Sequence, residues 1–234
     1  MNLNQPLIEA NRIGCCFSRP AGRFRRQPFW ALEDVSFDLR RGESLAIIGR
    51  NGAGKSTLLQ LLAGILRPDR GRLVSRARNA TLLSLNAGLE PGLSGRANAI
   101  MSGMLLGMKR SDVRARLDAI HELSGLGDFF DMPVQLYSSG MRARLGFSTA
   151  YQLDPELMLV DEVLGVGDTA FKAKSTRLMK DRLKSDRTVV LVSHNPSTVR
   201  ELCDRALWIE NGHVEGFGDA EEISAQYEAR AVSE

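Results

Sequence analysis

The sequence predicts an α/β fold in which a helical segment interrupts an alternation of strands and helices. In the first and last thirds of the 234-residue chain, strand-like runs alternate with helical patterns. From residue 94 to residue 153 strand signals almost vanish, and apolar residues recur at helical spacing. We therefore expect a sheet domain over residues 1–90 and 154–218, a helical subdomain over residues 91–153 and a C-terminal helix over residues 219–234.

Local patterns place the individual elements. Residues 35–39 alternate apolar and polar side chains, which is typical of a strand with one solvated face. The other predicted strands cover residues 44–48, 73–74, 81–85, 157–160, 188–193 and 206–209. Helices are predicted after the loop at residues 49–57 and at residues 139–152, 170–184, 196–203 and 220–231. Asn211 and Gly212 form a dipeptide typical of a hairpin turn.

Composition narrows the possible functions. The chain carries 31 basic and 28 acidic residues, a net charge of +3, and 43% hydrophobic residues, which are ordinary values for a globular protein. Arginines cluster at residues 19–26 and 67–78, which indicates a solvated basic surface, with an anionic membrane face or nucleic acid as alternatives. Aromatic residues do not alternate with basic ones, so nothing else supports nucleic-acid binding. Three cysteines without metal-type spacing predict free thiols, and no segment reads as a signal peptide or membrane span.

The loop at residues 49–57 reads GRNGAGKST, a glycine and four free positions followed by Gly-Lys-Ser. A buried strand is predicted just before it and a helix just after it, which is the context that this motif requires. The glycines let backbone N–H groups turn toward a polyphosphate, and the helix start adds its positive dipole end. Lys55 is expected to reach the outer phosphates and Ser56 to ligate Mg²⁺. The residues expected to contact the nucleotide here are Gly49, Arg50, Asn51, Gly52, Ala53, Gly54, Lys55, Ser56 and Thr57.

A second part of the site is predicted where the run LMLVDE ends in two acids. Because four apolar residues precede them, the strand is buried and its end delivers Asp161 to a fixed place. Asp161 would hold Mg²⁺ through water, and Glu162 could orient or deprotonate an attacking water. Two acids that only cap a loop are the alternative, but after a phosphate loop the pattern favours a catalytic pair.

The helical segment carries a further motif. Met101, Met104, Leu105 and Met108 lie at helical spacing, and the methionine positions are predicted to be core residues, with a cofactor-binding cluster as the alternative. Farther on, YSSGMRAR at residues 137–144 precedes a plausible amphipathic helix. A serine at a helix start is usually an N-cap, but its hydroxyl and the nearby N–H groups can also hold an anion.

GRNGAGKST, YSSGMRARLGF, LMLVDE and the strand-ending LVSH occur in the order seen in the ATPase subunits of ABC transporters. The resemblance extends over about residues 7–227. It implies a P-loop NTPase fold with a RecA-like core sheet, an antiparallel β subdomain and an inserted α-helical subdomain. It also implies two subunits packed head to tail, with each ATP gripped by one subunit's phosphate loop and the other subunit's signature motif.

The resemblance assigns roles to single residues. By position, residues 137–141 correspond to the family's LSGGQ signature, so Ser138 and Gly140 would face the γ-phosphate across the dimer. Ser139 replaces the first signature glycine, and Met141 replaces the glutamine.

Three further positions match family motifs. Arg144 matches the arginine that follows the signature, and Asp168 matches the acid of the D-loop. His194 matches the switch histidine that senses the γ-phosphate; a lone imidazole at a strand end is the alternative.

The chain departs from the family pattern at two places. No glutamine occurs between Asn79 and Asn98, so the family's Mg²⁺-sensing glutamine has no counterpart. The aromatic residue that stacks on adenine is matched best by Phe17, but a basic insert follows it, and three other aromatic residues could serve: Phe24, Phe29 and Trp30.

The variant signature, the preceding FFDMPVQ and the later DEVLGVGDTAFK resemble one branch of the family, the exporters of bacterial cell-surface polysaccharides such as capsule, O-antigen and teichoic acid. Some members carry a C-terminal carbohydrate-binding domain. Because this chain ends at Glu234, soon after the cassette, we expect no such domain and favour capsule-type export. The alternatives are a soluble ABC ATPase that is not coupled to transport and an ABC exporter of another substrate.

The resemblance also implies cofactors, partners and a location. ATP and Mg²⁺ are the expected cofactors. We expect a homodimer that binds peripherally to an integral-membrane permease at the cytoplasmic face of the inner membrane. Neither nucleic acid nor direct contact with the glycan is expected.

Overall fold

The computed structural model describes residues 5–20, 26–83, 88–161, 168–185 and 187–233. The chain divides into two compact units. The sheet unit comprises Met1–Leu82, Glu156–Glu162 and Leu183–Glu234, and the helical unit comprises Leu83–Pro155 and Val163–Arg182. Each unit has a hydrophobic cluster of its own.

The sheet unit is built around a mixed sheet in the order β5-β6-β7-β3-β8-β9. Its strands are β3 (Ser44–Ile48), β5 (Ala80–Leu83), β6 (Leu157–Asp161), β7 (Thr188–Val192), β8 (Arg205–Glu210) and β9 (His213–Asp219). β3 pairs in parallel with β7 and β8, and β6 pairs in parallel with β7. The carboxyl ends of these parallel strands therefore meet at one edge of the sheet, where α/β proteins bind ligands.

Every residue of β3 and β7 is buried, as expected of parallel strands covered on both faces. Because side chains alternate along a strand, Leu45 and Ile47 belong to one hydrophobic cluster, whereas Ala46 and Ile48 belong to another. The first cluster includes α1 (Lys55–Leu62), and the second includes residues of α7 (Pro196–Leu202) and α8 (Ala220–Ser233). Helices thus cover both faces of the sheet.

A second, antiparallel sheet in the order β2-β1-β4 lies over α1. It consists of β1 (Ile8–Pro20), β2 (Arg26–Leu39) and β4 (Arg70–Ser75). The apolar face of this sheet belongs to the same hydrophobic cluster as α1 and the central sheet. Each fully buried leucine or isoleucine in that cluster contributes about 1.5–3 kcal/mol to the stability of the fold. The sequence pattern missed β1 because three register shifts between Ala10 and Cys16 interrupt the alternation of its side chains.

The helical unit contains α2 (Gly95–Leu105), α3 (Arg110–Ala115), α4 (Leu117–Ser124), α5 (Ser139–Tyr151) and α6 (Thr169–Leu183), the last belonging to this unit as far as Arg182. Phe130, Val113, Ile120 and Leu145 are central to its hydrophobic cluster. The prediction that Met104 is a core residue is wrong, since its side chain is 46% exposed. α2 instead buries small residues, including Ala99 and Gly103, because Gly103 lies against the Val113 side chain.

Across the described ranges, no helix combines the length and the apolar character needed to cross a lipid bilayer.

Candidate nucleotide-binding site

A cavity of about 270 Å³ opens at the carboxyl edge of the central sheet. It is bounded by the loop that follows β3 and by the ends of β6 and β7, and on another side by β1 and β2 of the antiparallel sheet. The residues lining it are Phe17, Phe29, Ala31, Asn51, Gly52, Gly54, Lys55, Ser56, Thr57, Asp161 and Val192. The fold thus brings together residues from five separate segments of the chain.

At two positions the phosphate loop, residues 49–57, adopts a backbone conformation that only glycine accepts. Gly49 and Gly54 have φ angles of 147° and 110°. A Cβ atom at Gly49 would overlap the Ile209 carbonyl oxygen, and one at Gly54 would overlap the Ala31 carbonyl oxygen. The loop therefore lies directly against β8 and β2, and its N–H groups are fixed around a cradle that suits an anion.

Lys55 begins α1 and is buried within this loop. Its Nζ donates hydrogen bonds to the carbonyl oxygens of Gly49 at 2.6 Å and Arg50 at 2.8 Å. Burial lowers the pKa of the Lys55 ammonium, while the carboxylates of Glu210 and Asp161 act in the opposite direction. A positive charge is thus positioned at the mouth of the cradle, where a polyphosphate would partner it.

The remaining polar groups fit a nucleoside triphosphate with one hard cation. The Ser56 hydroxyl and the Asp161 carboxylate both line the cavity, and oxygen ligands of this kind suit Mg²⁺. Among the described residues no cluster of three or more His, Cys, Asp or Glu side chains could hold a metal alone. The Ser56 hydroxyl and the Asp161 carboxylate suit a cation that takes its other ligands from phosphate oxygens and water.

Two aromatic side chains, rather than one, lie at the site. Phe17 and Phe29 are directly opposite each other in the β1–β2 ladder, both line the cavity, and they are 41% and 40% exposed. Trp30 does not line the cavity; it stacks with the Arg70 guanidinium, 4.2 Å from the ring centre. Phe24 lies outside the described residues. The Arg19 guanidinium lies over the Phe29 ring, 5.1 Å from its centre. Phe17 and Phe29 are both candidates for stacking on a base, and the role of Phe17 stays a prediction.

The two expected catalytic residues are Glu162 and His194. Glu162 lies outside the described residues, as do residues 163–167 of the predicted D-loop. His194 is exposed and follows the end of β7 by two residues, whereas Val192 at that end lines the cavity. Their catalytic roles stay predictions.

The predicted signature motif begins α5 in the helical unit. Ser138 is the N-cap, and its Oγ accepts a hydrogen bond from the Met141 N–H at 3.2 Å. Both Ser138 and Ser139 are exposed, and a Cβ atom at Gly140 would have only ordinary contacts. The Ser138 hydroxyl keeps its own hydrogen for another acceptor. Capping and anion binding are therefore compatible at this helix start.

Asp168 has structural partners that the sequence did not reveal. One carboxylate oxygen accepts a hydrogen bond from the Phe171 N–H at 3.0 Å, and the other forms an ion pair with Arg144 of α5. The Arg144 guanidinium also lies 5.5 Å from the centre of the Phe171 ring. These contacts fasten the start of α6 to the signature helix. Nucleotide binding by Asp168 stays a prediction, since both of its oxygens are engaged within the helical unit.

The fold and the cavity together define a P-loop nucleotide-binding protein, with an antiparallel sheet over a parallel core and a separate helical unit. A family model described as ABC transporter matches residues 32–165. The chain therefore belongs to the ABC transporter family, and it is an ATPase of that family.

Two relatives and one solved structure illustrate the similarity. The chain is 47% identical over 199 residues to the O-antigen export system ATP-binding protein RfbB of Klebsiella pneumoniae, covering 85% of this chain and 81% of that protein. It is 40% identical over 200 residues to the teichoic acids export ATP-binding protein TagH of Lactococcus lactis, covering 86% of this chain and 43% of that one. The ATP-binding cassette MJ0796, solved as a dimer with ADP and Pi, has 20% identity and a TM-score of 0.71 and covers 91% of this chain and 98% of its own. That likeness confirms the predicted ABC ATPase fold.

Proposed function

We propose that this chain is the ATP-hydrolysing subunit of a transporter that exports a bacterial cell-surface polysaccharide through a separate permease. The observation that carries this proposal is the 47% identity to a relative named for O-antigen export, over 85% of this chain. A second relative named for export of a different wall polymer supports the same class of cargo. The narrower prediction of a capsule polysaccharide stays a prediction.

The proposed chemistry begins at the phosphate loop. The Lys55 ammonium exchanges its bonds to the Gly49 and Arg50 carbonyl oxygens for bonds to phosphate oxygens. Ser56 and Asp161 would hold Mg²⁺, and the chemistry that the cation would supply is neutralisation of charge on the phosphates. We assign Glu162, one residue beyond β6, the role of orienting and deprotonating the attacking water.

The same proposal includes a second copy of the chain. Ser138 and the N–H groups at the start of the 13-residue α5 form an exposed anion-binding tip in the helical unit. In a head-to-tail homodimer each tip would cap the γ-phosphate bound to the facing subunit, and His194 would sense that phosphate. The sheet unit and the helical unit are then the nucleotide-binding and partner-capping parts of one cassette.

The location follows from the proposed cargo. We place the homodimer at the cytoplasmic face of the inner membrane, held peripherally by the permease, with closure and reopening of the dimer as the mechanical step. In this arrangement the subunit contacts neither the glycan nor nucleic acid.

The test is a deletion of this gene in its host, followed by complementation. Deletion is expected to leave polymer inside the cell and to remove it from the surface, as measured by extraction and immunoblotting of both fractions. Wild type should restore export and Lys55→Ala should not. Lys184→Ala, which removes a half-exposed lysine with one surface ion pair to Glu201, is the matched control and should restore it.

Normal surface polysaccharide after deletion would contradict the proposal. That result would favour an ABC ATPase that is not coupled to transport or an exporter of another substrate.

A further inference from the structure

We propose that the turn formed by Asn211 and Gly212 is a positioning element that holds the base end of the nucleotide site against the phosphate loop. The inference rests on the nucleotide site described above and is independent of the transported cargo. It assigns a role to a turn between two strands outside the phosphate-loop motif, whose two residues are not among those lining the described cavity.

The turn joins β8 to β9 through two residues in the left-handed backbone conformation. Asn211 and Gly212 have φ angles of 49° and 82°, so both residues are left-handed, as in the two-residue hairpin turns that match strand twist. Asn211 is exposed, whereas Gly212 is buried. A buried residue at the tip of a hairpin is unexpected for a turn whose only purpose is to reverse the chain.

The main-chain groups of Gly212 are bonded to both ends of the site. Its N–H donates to the Ala53 carbonyl oxygen at 3.1 Å, inside the phosphate loop, and its carbonyl oxygen accepts from the Glu33 N–H at 2.8 Å, in β2. Ala53 immediately precedes Gly54, the N-cap residue of α1. Glu33 lies two residues beyond Ala31, which lines the cavity. One glycine therefore connects the cradle to β2. This strand carries Phe29, which together with Phe17 forms what we call the base platform.

The packing at this point is tight enough that a methyl group would have to displace its neighbours by a few tenths of an ångström. A Cβ atom at Gly212 would lie 3.0 Å from the Ala31 carbonyl oxygen and 3.4 Å from Leu32 Cα. The Ala31 carbonyl is also the group that a Cβ atom at Gly54 would overlap. The Ala31 peptide is thus wedged between a glycine of the turn and a glycine of the phosphate loop. The close approach fixes the spacing between the β2 side of the cavity and the cradle.

That spacing matters because a nucleotide must reach both ends of the cavity at once. Phe29 and Ala31 line the base end, while Gly54 and Lys55 line the phosphate end. The three atoms nearest to a Cβ at Gly212 all belong to β2. An added methyl group should therefore displace Ala31 and Phe29 more than the phosphate cradle, because the cradle also packs against Ile209 of β8 through Gly49.

The experiment compares two ligands on Gly212→Ala and on wild type, each with Mg²⁺. Tripolyphosphate occupies only the cradle, whereas ATP needs the cradle and the base platform. We expect the ATP dissociation constant to rise about tenfold, the scale of a lost aromatic contact, and that of tripolyphosphate to change by less than about twofold. This split distinguishes positioning from a general loss of stability, which would affect the two ligands equally.

Two glycine variants serve as controls. Gly64→Ala introduces the same left-handed strain at φ 72°, with open space around the new methyl group. Gly218→Ala alters β9 of the same hairpin, where a Cβ atom would make only ordinary contact with Ile223. Both variants should bind ATP and tripolyphosphate as wild type does.

If ATP and tripolyphosphate weaken together, or if neither changes, the proposed role of the turn is wrong. Should wild type bind neither ligand, the nucleotide site itself would be contradicted instead.

A measurement on wild type covers the case in which Gly212→Ala does not fold. Tripolyphosphate is expected to occupy the cradle without contacting β2. Because the turn links the cradle to the Glu33 amide, its binding should still slow hydrogen exchange at that amide by at least about threefold. Unchanged exchange at Glu33 when the phosphate-loop amides become protected would overturn the inference.

Discussion

The ammonium group of Lys55 illustrates how a single buried charge prepares the site. Two carbonyl oxygens hold it inside the phosphate loop, and burial lowers its pKa. Because the ammonium group is already out of water and hydrogen-bonded, it can exchange its carbonyl partners for phosphate oxygens at little cost in desolvation free energy. The same burial makes nucleotide binding sensitive to pH.

We predict that ATP affinity falls as pH rises, beginning below about 10.4, the usual lysine value. Below the lowered pKa, Lys55 already carries its proton and affinity is flat. Above it, binding must take up a proton, so affinity declines by up to about tenfold per pH unit. Isothermal titration of Mg-ATP from pH 7 to pH 10 measures this.

Lys55→Arg is the control, because its guanidinium does not lose its proton in this range. It should bind ATP more weakly at neutral pH, with a flatter profile. Parallel profiles for wild type and Lys55→Arg would show that another group titrates.

At the scale of elements, α2 depends on one buried side chain, Asn98. Its Oδ1 accepts from the Glu90 N–H at 2.7 Å, and its Nδ2 donates to the carbonyl oxygens of Glu90, Leu93 and Ser94 at 3.0–3.1 Å. The amide thus ties the first turn of the helix to the loop before it. All four bonds are local, so Asn98 holds the fold of this segment and is not a substitute for the missing glutamine.

We predict that Asn98→Leu destabilises the helical unit by about 2–4 kcal/mol. The leucine side chain makes no hydrogen bonds, so the buried backbone groups that Asn98 now satisfies would be left without a partner. Ser94→Ala removes one hydrogen bond, from the Ala97 N–H to Ser94 Oγ at 3.2 Å, and should cost only about 1 kcal/mol. Urea unfolding followed by hydrogen exchange within the helical unit measures both. Equal costs for the two variants would contradict this role for Asn98.

At the scale of the whole molecule, the proposed site is completed by a second copy. We predict that Glu162→Gln binds ATP without cleaving it and accumulates as a dimer, measured by light scattering with saturating Mg-ATP. Adding Lys55→Ala to this variant should return it to a monomer, since the nucleotide that joins the subunits is lost. A monomeric Glu162→Gln protein with bound ATP would contradict the shared site.

Across the whole molecule, the features that the sequence could predict are those with a local signal. The phosphate loop and the buried strands were predictable because their signals are local, as in GRNGAGKST and the apolar run of β3. The ion pair between Arg144 and Asp168 was not, because those residues meet only through the packing of α6 against α5. Phe29 was one of several candidates until the β1–β2 register placed it opposite Phe17.

The two tryptophans of the chain stand in contrasting surroundings, and this gives the protein an optical signal of its own. Trp208 is 5% exposed in the interior of the sheet unit, whereas Trp30 is partly exposed, stacked on Arg70 and adjacent in β2 to Phe29. A nucleotide stacked on Phe29 would contact the strand that carries Trp30, whereas Trp208 is buried in the cluster that includes α7 and α8. Emission from Trp30 therefore offers a label-free record of occupancy, with Trp208 as an internal reference.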